Sequence, residues 1–174
     1  MLIAFGGLPG TGKTTVAKLL AHRLGATYLR IDTLEQAFVA AGNDRTEIGP
    51  AGYLAAYAVA SDNLRLGQTV VADSVNSLNL TRQAWRNVAL GADVRIFEIE
   101  LICSDAEVHR LRVEGRRPDI PDFELPTWKS VRERQYDPWE SEHLVVDTAN
   151  LPAEQVVETI TQRLSLTPWE TPTA

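Results

Sequence analysis

The chain has little of the chemistry that cross-links or metallates a small protein. Cys103 is its only cysteine in 174 residues, so no internal disulfide can form and a cysteine-based metal site is not expected. The three histidines, His22, His109 and His143, are scattered without the spacing of a metal site. No apolar run approaches the ~20 residues that span a bilayer. Met1 leads straight into an apolar, strand-like run, so no secretory or transit segment is expected. With no disulfide framework, a reducing, cytoplasmic setting is the simplest expectation. A basic excess is also missing. The net charge is −6, and the acids are not gathered into one tail. That balance disfavours a nucleic-acid-coating surface, although it leaves room for a local basic groove. The hydrophobic share is 44%, enough for one domain with a full core.

What is present begins at residue 7. Gly7-Leu8-Pro9-Gly10-Thr11-Gly12-Lys13-Thr14 fits the phosphate-binding pattern Gly-x-x-x-x-Gly-Lys-Ser/Thr. An apolar run, Leu2 to Phe5, precedes it. A helix-like run follows it, with Val16, Leu19, Leu20 and Leu24 on one face. The glycines let the backbone wrap closely around phosphate oxygens. The amides of residues 10 to 15, Thr15 included, form an anion nest at a helix N-terminus. Lys13 is placed to neutralise the β- and γ-phosphates, and the Thr14 hydroxyl to coordinate Mg²⁺. A bound nucleotide with Mg²⁺ is therefore expected.

The rest of the chain alternates strand and helix. Strands are expected at Leu2–Gly6, Thr27–Ile31, Thr69–Ala72, Val94–Ile102 and His143–Val146. Helices are expected at Lys13–Leu24, Leu34–Ala41, Gly52–Leu66, Thr81–Leu90, Asp105–Gly115, Trp128–Tyr136 and Pro152–Leu164. Ser104 and Glu107 read as a capping box. The pattern predicts an α/β three-layer sandwich with a five-stranded parallel sheet. One domain should occupy residues 1–167. Residues 116 to 126 carry three prolines and read as an exposed loop, part of a lid at about 112–127. Residues 168–174 read as a frayed tail.

Ligands of such sheets bind beyond the carboxyl ends of the strands. That rule selects Asp32 after the second strand and Asp73 after the third. Asp32 can orient or deprotonate a hydroxyl; its alternative role, shared with Thr33, is capping the following helix. Asp73 follows Val70-Val71-Ala72 in the arrangement that holds Mg²⁺. Ser74 and Asn76 can contact substrate or simply form the turn. Arg116 and Arg117, at a helix-loop junction, can stabilise charge developing during phosphoryl transfer. Arg112 is evenly placed between that role and a solvated face, and Arg110 reads as a solvated charge. Tyr53 and Tyr57, four apart, read as core residues that can also line a pocket. Trp85, Trp128 and Trp139 read as packing, and Cys103 as a small buried residue at a strand end.

On Gly7–Thr15, Ile31-Asp32, Val70–Asp73, Arg112–Arg117 and Leu144–Thr148, the chain resembles the small P-loop kinases. It is similar to chloramphenicol phosphotransferase and zeta toxins, and more distantly to gluconate, shikimate and adenylylsulfate kinases. The resemblance covers about residues 1 to 165. It implies the nucleotide-kinase sheet order 2-3-1-4-5 and transfer of the γ-phosphoryl of ATP to an acceptor lying between the second strand and the lid. It also implies that Arg112 and residues 147–151 lie near the adenine. The acidic or arginine patterns that mark shikimate and gluconate kinases are absent, so the acceptor is not inherited. The leading expectation is a small-molecule hydroxyl acceptor, with the protein a monomer or homodimer. A large acceptor such as RNA or a cell-wall precursor, and a non-transferase regulatory NTPase, are the alternatives.

Overall fold

The computed structural model describes residues 1–166. The expected tail at 168–174 and the last residue of the expected 1–167 domain lie outside the described residues.

Five strands form one parallel sheet: β1 (Leu2–Gly6), β2 (Thr27–Arg30), β3 (Val70–Asp73), β4 (Ile96–Ile102) and β5 (Leu144–Asp147), in the order β2-β3-β1-β4-β5. This is the order the resemblance implied. Side chains alternate across the sheet, and both faces are apolar. Ile3, Phe5, Val71, Ile99 and Leu101 face one side. There they meet α1 (Lys13–Leu24) and α7 (Ala153–Leu166) through Val16, Leu20, Val156 and Ile160. Leu2, Ala4, Val70 and Ala72 face the other side. That side is covered by α3 (Ala51–Arg65) and α4 (Asn79–Gly91) through Ala56, Ala60 and Trp85. The remaining helices are α2 (Ile31–Ala40), α5 (Ala106–Gly115) and the short α6 (Trp128–Arg132).

Several boundaries differ from the sequence reading, each for a local reason. The second strand stops at Arg30 and α2 starts at once with Ile31, so Asp32 sits inside the first helical turn. It therefore is not the helix cap; position 30 is, without a side-chain cap bond. An acid in the first turn still favours the positive helix end. Helix α5 is capped by Asp105, whose carboxylate accepts from the amides of Glu107 and Val108 at 2.9 and 3.0 Å. The Ser104–Glu107 box does not form, because Ser104 turns to the Asp147 carboxylate. Helix α6 ends at Arg132 rather than 136. Cys103 is half-buried beside the Arg112 guanidinium at 3.8 Å, not enclosed.

Beyond α6, residues 133–143 cross the α4 side of the sheet, where β4 presents Glu98 and Glu100. Arg82, fully buried on α4, anchors this strap. Its guanidinium donates to the carbonyls of Asn76, Ser77, Asp137 and Pro138 at 2.8–3.2 Å. It also lies 4.1 Å from the Trp139 ring centre. The turn holding Asn76 (φ 48°) is fixed by this bonding and by Thr81, which gives Asn76 a structural role. Trp139 stacks on His143 with ring centres 4.2 Å apart. Trp85 meets Tyr57 edge-on at 4.6 Å, so the tryptophans and Tyr57 pack as expected.

A buried guanidinium with so many carbonyl partners should be costly to remove. Arg82→Ala is expected to lower unfolding free energy by ~3–5 kcal/mol, the scale for leaving a buried polar network open. Chemical denaturation of the variant against wild type measures it, and a loss below ~1 kcal/mol would show that the strap does not depend on Arg82.

Candidate active site

The carboxyl ends of β1, β2 and β3 converge on one cavity of about 1050 Å³. The loop after β1 forms its floor. Gly7 has φ +126°, and a Cβ there would lie 2.1 Å from the Leu101 carbonyl oxygen. Gly10 has φ +89°, and a Cβ would lie 2.5 Å from Val113 of α5. Both positions therefore require glycine. His109 of α5 is buried and its Nε2 lies 2.8 Å from the Pro9 carbonyl, so α5 braces the loop from behind. Nothing in its spacing marked His109 for this task.

Pro9, Gly10, Gly12, Lys13, Thr14 and Thr15 line the cavity. Gly7, Leu8 and Thr11 shape the turn behind it. The Leu8 carbonyl accepts from Lys13 Nζ at 2.7 Å and from Thr11 Oγ1 at 3.0 Å. Lys13 is only 7% exposed. Burial lowers its pKa to about 8, against the attraction of Asp73 and Asp32. The loop thus holds a desolvated ammonium among backbone amides.

Asp32, Asp73, Ser74, Arg112, Arg116 and Arg117 all reach the same cavity. Asp73 is 3% exposed and accepts from the Tyr28 hydroxyl at 2.7 Å through Oδ2. Burial and this bond push the Tyr28 hydroxyl well above its usual range. Asp32 is more open, with 35% of its side chain exposed. Arg116 is half-buried, and burial lowers its pKa, with Arg30 adding to the effect. No described residue forms a hydrogen bond or ion pair with its guanidinium. Arg117 is exposed. Arg112 donates to Thr148 Oγ1 at 3.0 Å and to the carbonyls of Thr148 and Ala149 at 2.8 and 3.3 Å. It pins the loop after β5 at the cavity edge, where Thr148 also reaches the Thr11 carbonyl at 3.0 Å. Arg110 pairs with Glu114 on the exposed face of α5.

The residue that joins these groups is Arg30, which strand-end reasoning passed over because it precedes the turn. Its side chain is 5% exposed. It contacts Asp32 at 3.3 Å, Asp73 at 3.9 Å and both oxygens of Asp119 at 2.9 Å. Asp119 belongs to the proline-rich loop and also pairs with Lys18 at 2.8 Å. The loop is therefore drawn down over the cavity, adding Phe123, Leu125 and Pro126 to its wall. Alternating polarity could have flagged Arg30 as a charge inside a buried strand, but only the fold shows its three partners.

A fold of this order with this loop is that of the small P-loop kinases. A family model described as an AAA domain matches residues 2–138, and the chain belongs to that family. A structure described as "a putative kinase" from Chloroflexus aurantiacus superposes with a TM-score of 0.73, at 23% identity over 96% of this chain and 97% of that one. The APS kinase CysC of Mycobacterium tuberculosis, in complex with AMPPNP and APS, gives a TM-score of 0.63 at 17% identity, covering 94% of this chain and 96% of that one. A gluconokinase from Sinorhizobium meliloti gives 0.61 at 18% identity, covering 94% and 95%. A Pyrococcus abyssi protein described as "Putative adenylate kinase" is 61% identical over 31 residues, so the match spans 18% of this chain and only 17% of that protein. Among the described residues no helix is long and apolar enough to cross a membrane.

The Asp119 latch has a testable acid limit. Its Lys18 and Arg30 partners depress its pKa to about 2. A depressed carboxylate contributes above its unfolded value and loses that contribution as pH falls through the folded one. Amide exchange of residues 117–125 should therefore stay protected at about pH 4, well above the folded value. Asp119→Ala should raise that exchange by roughly tenfold or more at the same pH, as a local opening loses its closing contact. Equal exchange in the two proteins would show that Asp119 does not hold the loop.

Proposed function

We propose that this protein transfers the γ-phosphoryl group of ATP to a hydroxyl of a small molecule. The observation that carries the reading is the shared cavity. It brings Lys13, Asp32, Asp73 and the unpaired Arg116 together from four separate stretches of chain. In phosphoryl transfer the protein mainly positions the reactants and neutralises charge. The loop amides and Lys13 would bind the β- and γ-phosphates, and Thr148, Leu151 and Pro152 would border the base. Asp32, exposed to the cavity and tethered by Arg30, would orient the acceptor hydroxyl and take its proton. Arg116 would meet charge spreading over the transferred group.

The residues also suit Mg²⁺. Thr14 Oγ1 lines the cavity and bonds no described residue, and Asp73 keeps Oδ1 free of hydrogen bonds while Oδ2 accepts from Tyr28. Thr14 and Asp73 would hold the ion, whose charge would offset that of the phosphates. Cytoplasmic placement fits a single half-buried cysteine and is part of the same reading.

Four substitutions test the roles. Lys13→Ala should cut acceptor-dependent ADP release by about 10²-fold or more, the scale of one preorganised donor. Asp32→Asn should leave ATP affinity nearly unchanged and slow transfer roughly 10²–10⁴-fold, the range of a general base. Arg116→Ala should lower kcat far more than Arg117→Ala, because only Arg116 is half-buried at the cavity. Equal effects of the two arginine substitutions would count against the assignment.

The buried lysine gives a pH test. Its lowered pKa means that charging Lys13 costs stability below about 8, a cost relieved as pH rises towards the unfolded 10.5. ATP favours the charged form, so binding should take up a proton above that value. Calorimetry in two buffers should find ATP affinity falling by up to ~10-fold per pH unit above the Lys13 value, with matching proton uptake. Lys13→Ala should bind weakly with a flat profile. A flat profile in wild type would refute the role.

A further inference from the structure

At the end of the cavity away from the phosphate loop, one carboxylate lacks the hydrogen-bond donor that its surroundings could supply. Glu35 lies one helical turn beyond Asp32 on α2, half-buried and lining the cavity. Its carboxylate forms no hydrogen bond or ion pair with any described residue. Burial, and then the neighbouring Asp32 charge, raise its pKa, against the weaker pull of Arg45 and Arg134. Its place is built in. A Cβ on Gly52 of α3 would lie 2.4 Å from Glu35 Cγ, so the absence of a side chain at 52 makes room for the glutamate. Ser74, 5% exposed, lines the same cavity with its Oγ beside the Tyr53 hydroxyl. Tyr53, the residue after Gly52, is close enough for its hydroxyl to sense Ser74, Glu35 and Asp32 together.

None of the arginines that line the cavity, the unpaired Arg116 included, hydrogen-bonds Glu35. Arg30 pairs with Asp32, Asp73 and Asp119, and its buried Nε completes no hydrogen bond. Arg45 donates to Gln36 and lies over the Phe123 ring, 5.5 Å from its centre. Arg134 is exposed at the rim. A desolvated carboxylate without a donor is unfavourable until a ligand provides one. A ligand carrying its own carboxylate or phosphate at this end would meet Asp32 and Glu35 as like charges.

We propose that Glu35 determines acceptor specificity, and that this end of the site takes a molecule rich in hydrogen-bond donors and free of anionic groups there. A polyol, a neutral sugar or an amino sugar meets that description. The inference rests on the phosphotransferase reading. Glu35 would accept a hydrogen bond from a hydroxyl or ammonium beside the reacting hydroxyl that Asp32 orients, and Ser74 would bind a further polar group. This chemistry differs from that of the gluconokinase among its fold neighbours, whose name denotes an anionic acceptor.

The test is acceptor-stimulated ADP release with xylitol, glucose, glucosamine, gluconate and glucose 6-phosphate as probes. Wild type should be stimulated by one or more of the first three and little by the two anions. For the best probe, Glu35→Ala should raise KM ~10-fold or more, the scale of losing a hydrogen bond to a charged group, with a smaller fall in kcat. Gly52→Ala provides a second variant. It keeps the carboxylate but displaces it, and alanine suits a helix better than glycine. It should raise KM in the same direction without lowering the melting temperature. Glu35→Gln separates the donors: it should retain a hydroxyl probe and lose glucosamine if the ammonium is what Glu35 reads. Stimulation confined to the anions, or an unchanged KM in both Glu35→Ala and Gly52→Ala, overturns the proposal and leaves phosphoryl transfer standing. Bound ATP with no stimulation by any probe overturns the phosphotransferase reading, and this inference with it.

Discussion

The site depends on one buried guanidinium. Arg30 ends the edge strand β2 with its side chain turned inward, where three carboxylates from different parts of the chain surround it. Burying a lone charge is expensive, and an arginine is kept charged only by close, well-directed partners. Here burial works against the charge, and Asp119, Asp32 and Asp73 more than offset it. The arrangement runs both ways. Without Arg30, the buried Asp73 and the more open Asp32 and Asp119 would lose the cation they share. The planar fork suits this position because it can address several acceptors at once, which a lysine ammonium on a flexible stem does less well.

The same contacts explain why the proline-rich loop has a defined place despite having no regular structure. Its prolines remove backbone donors, so it cannot join the sheet or continue a helix. Its position comes instead from Asp119, held at 2.8–2.9 Å by Lys18 and Arg30. Lys18 lies on α1, the helix that begins at the phosphate loop, and Arg30 touches the carboxylate after it. The loop and the site are thereby joined through shared ion pairs. A second brace acts on the opposite side, where Arg112 and His109 of α5 hold the loop after β5 and the phosphate loop.

Polar order on the other face of the sheet follows a different logic. Where β4 carries Glu98 and Glu100, the strap at 133–143 and Arg86 of α4 answer the carboxylates together. Arg86 and Ser141 meet Glu98, while Tyr136 and His143 meet Glu100. Arg82 anchors the strap through main-chain carbonyls rather than acids. Its charge is then supported by the rings of Trp139 and Tyr136, at 4.1 and 5.2 Å.

By itself, the sequence determined the parts whose physics is local. The glycines of residues 7–12, Lys13 and Thr14 spell a phosphate loop because backbone approach and φ demand those types at those places. Short apolar runs foretold five strands, and the strand-end rule selected Asp32 and Asp73, because both depend on near neighbours in the chain. Boundaries slipped where a neighbour in space decided them: Asp147 drew Ser104 away from its expected cap, and α2 began directly at the end of β2. The tertiary structure alone decided the rest. Arg30 gains its role from Asp119, 89 residues on. His109 braces Pro9, 100 residues before it. Glu35 reaches the cavity wall only through the packing of α2 on α3, where Gly52 leaves it room. Pattern and propensity act over a few residues, whereas the groups that pair charges and enclose a cavity are brought together only by the folded chain.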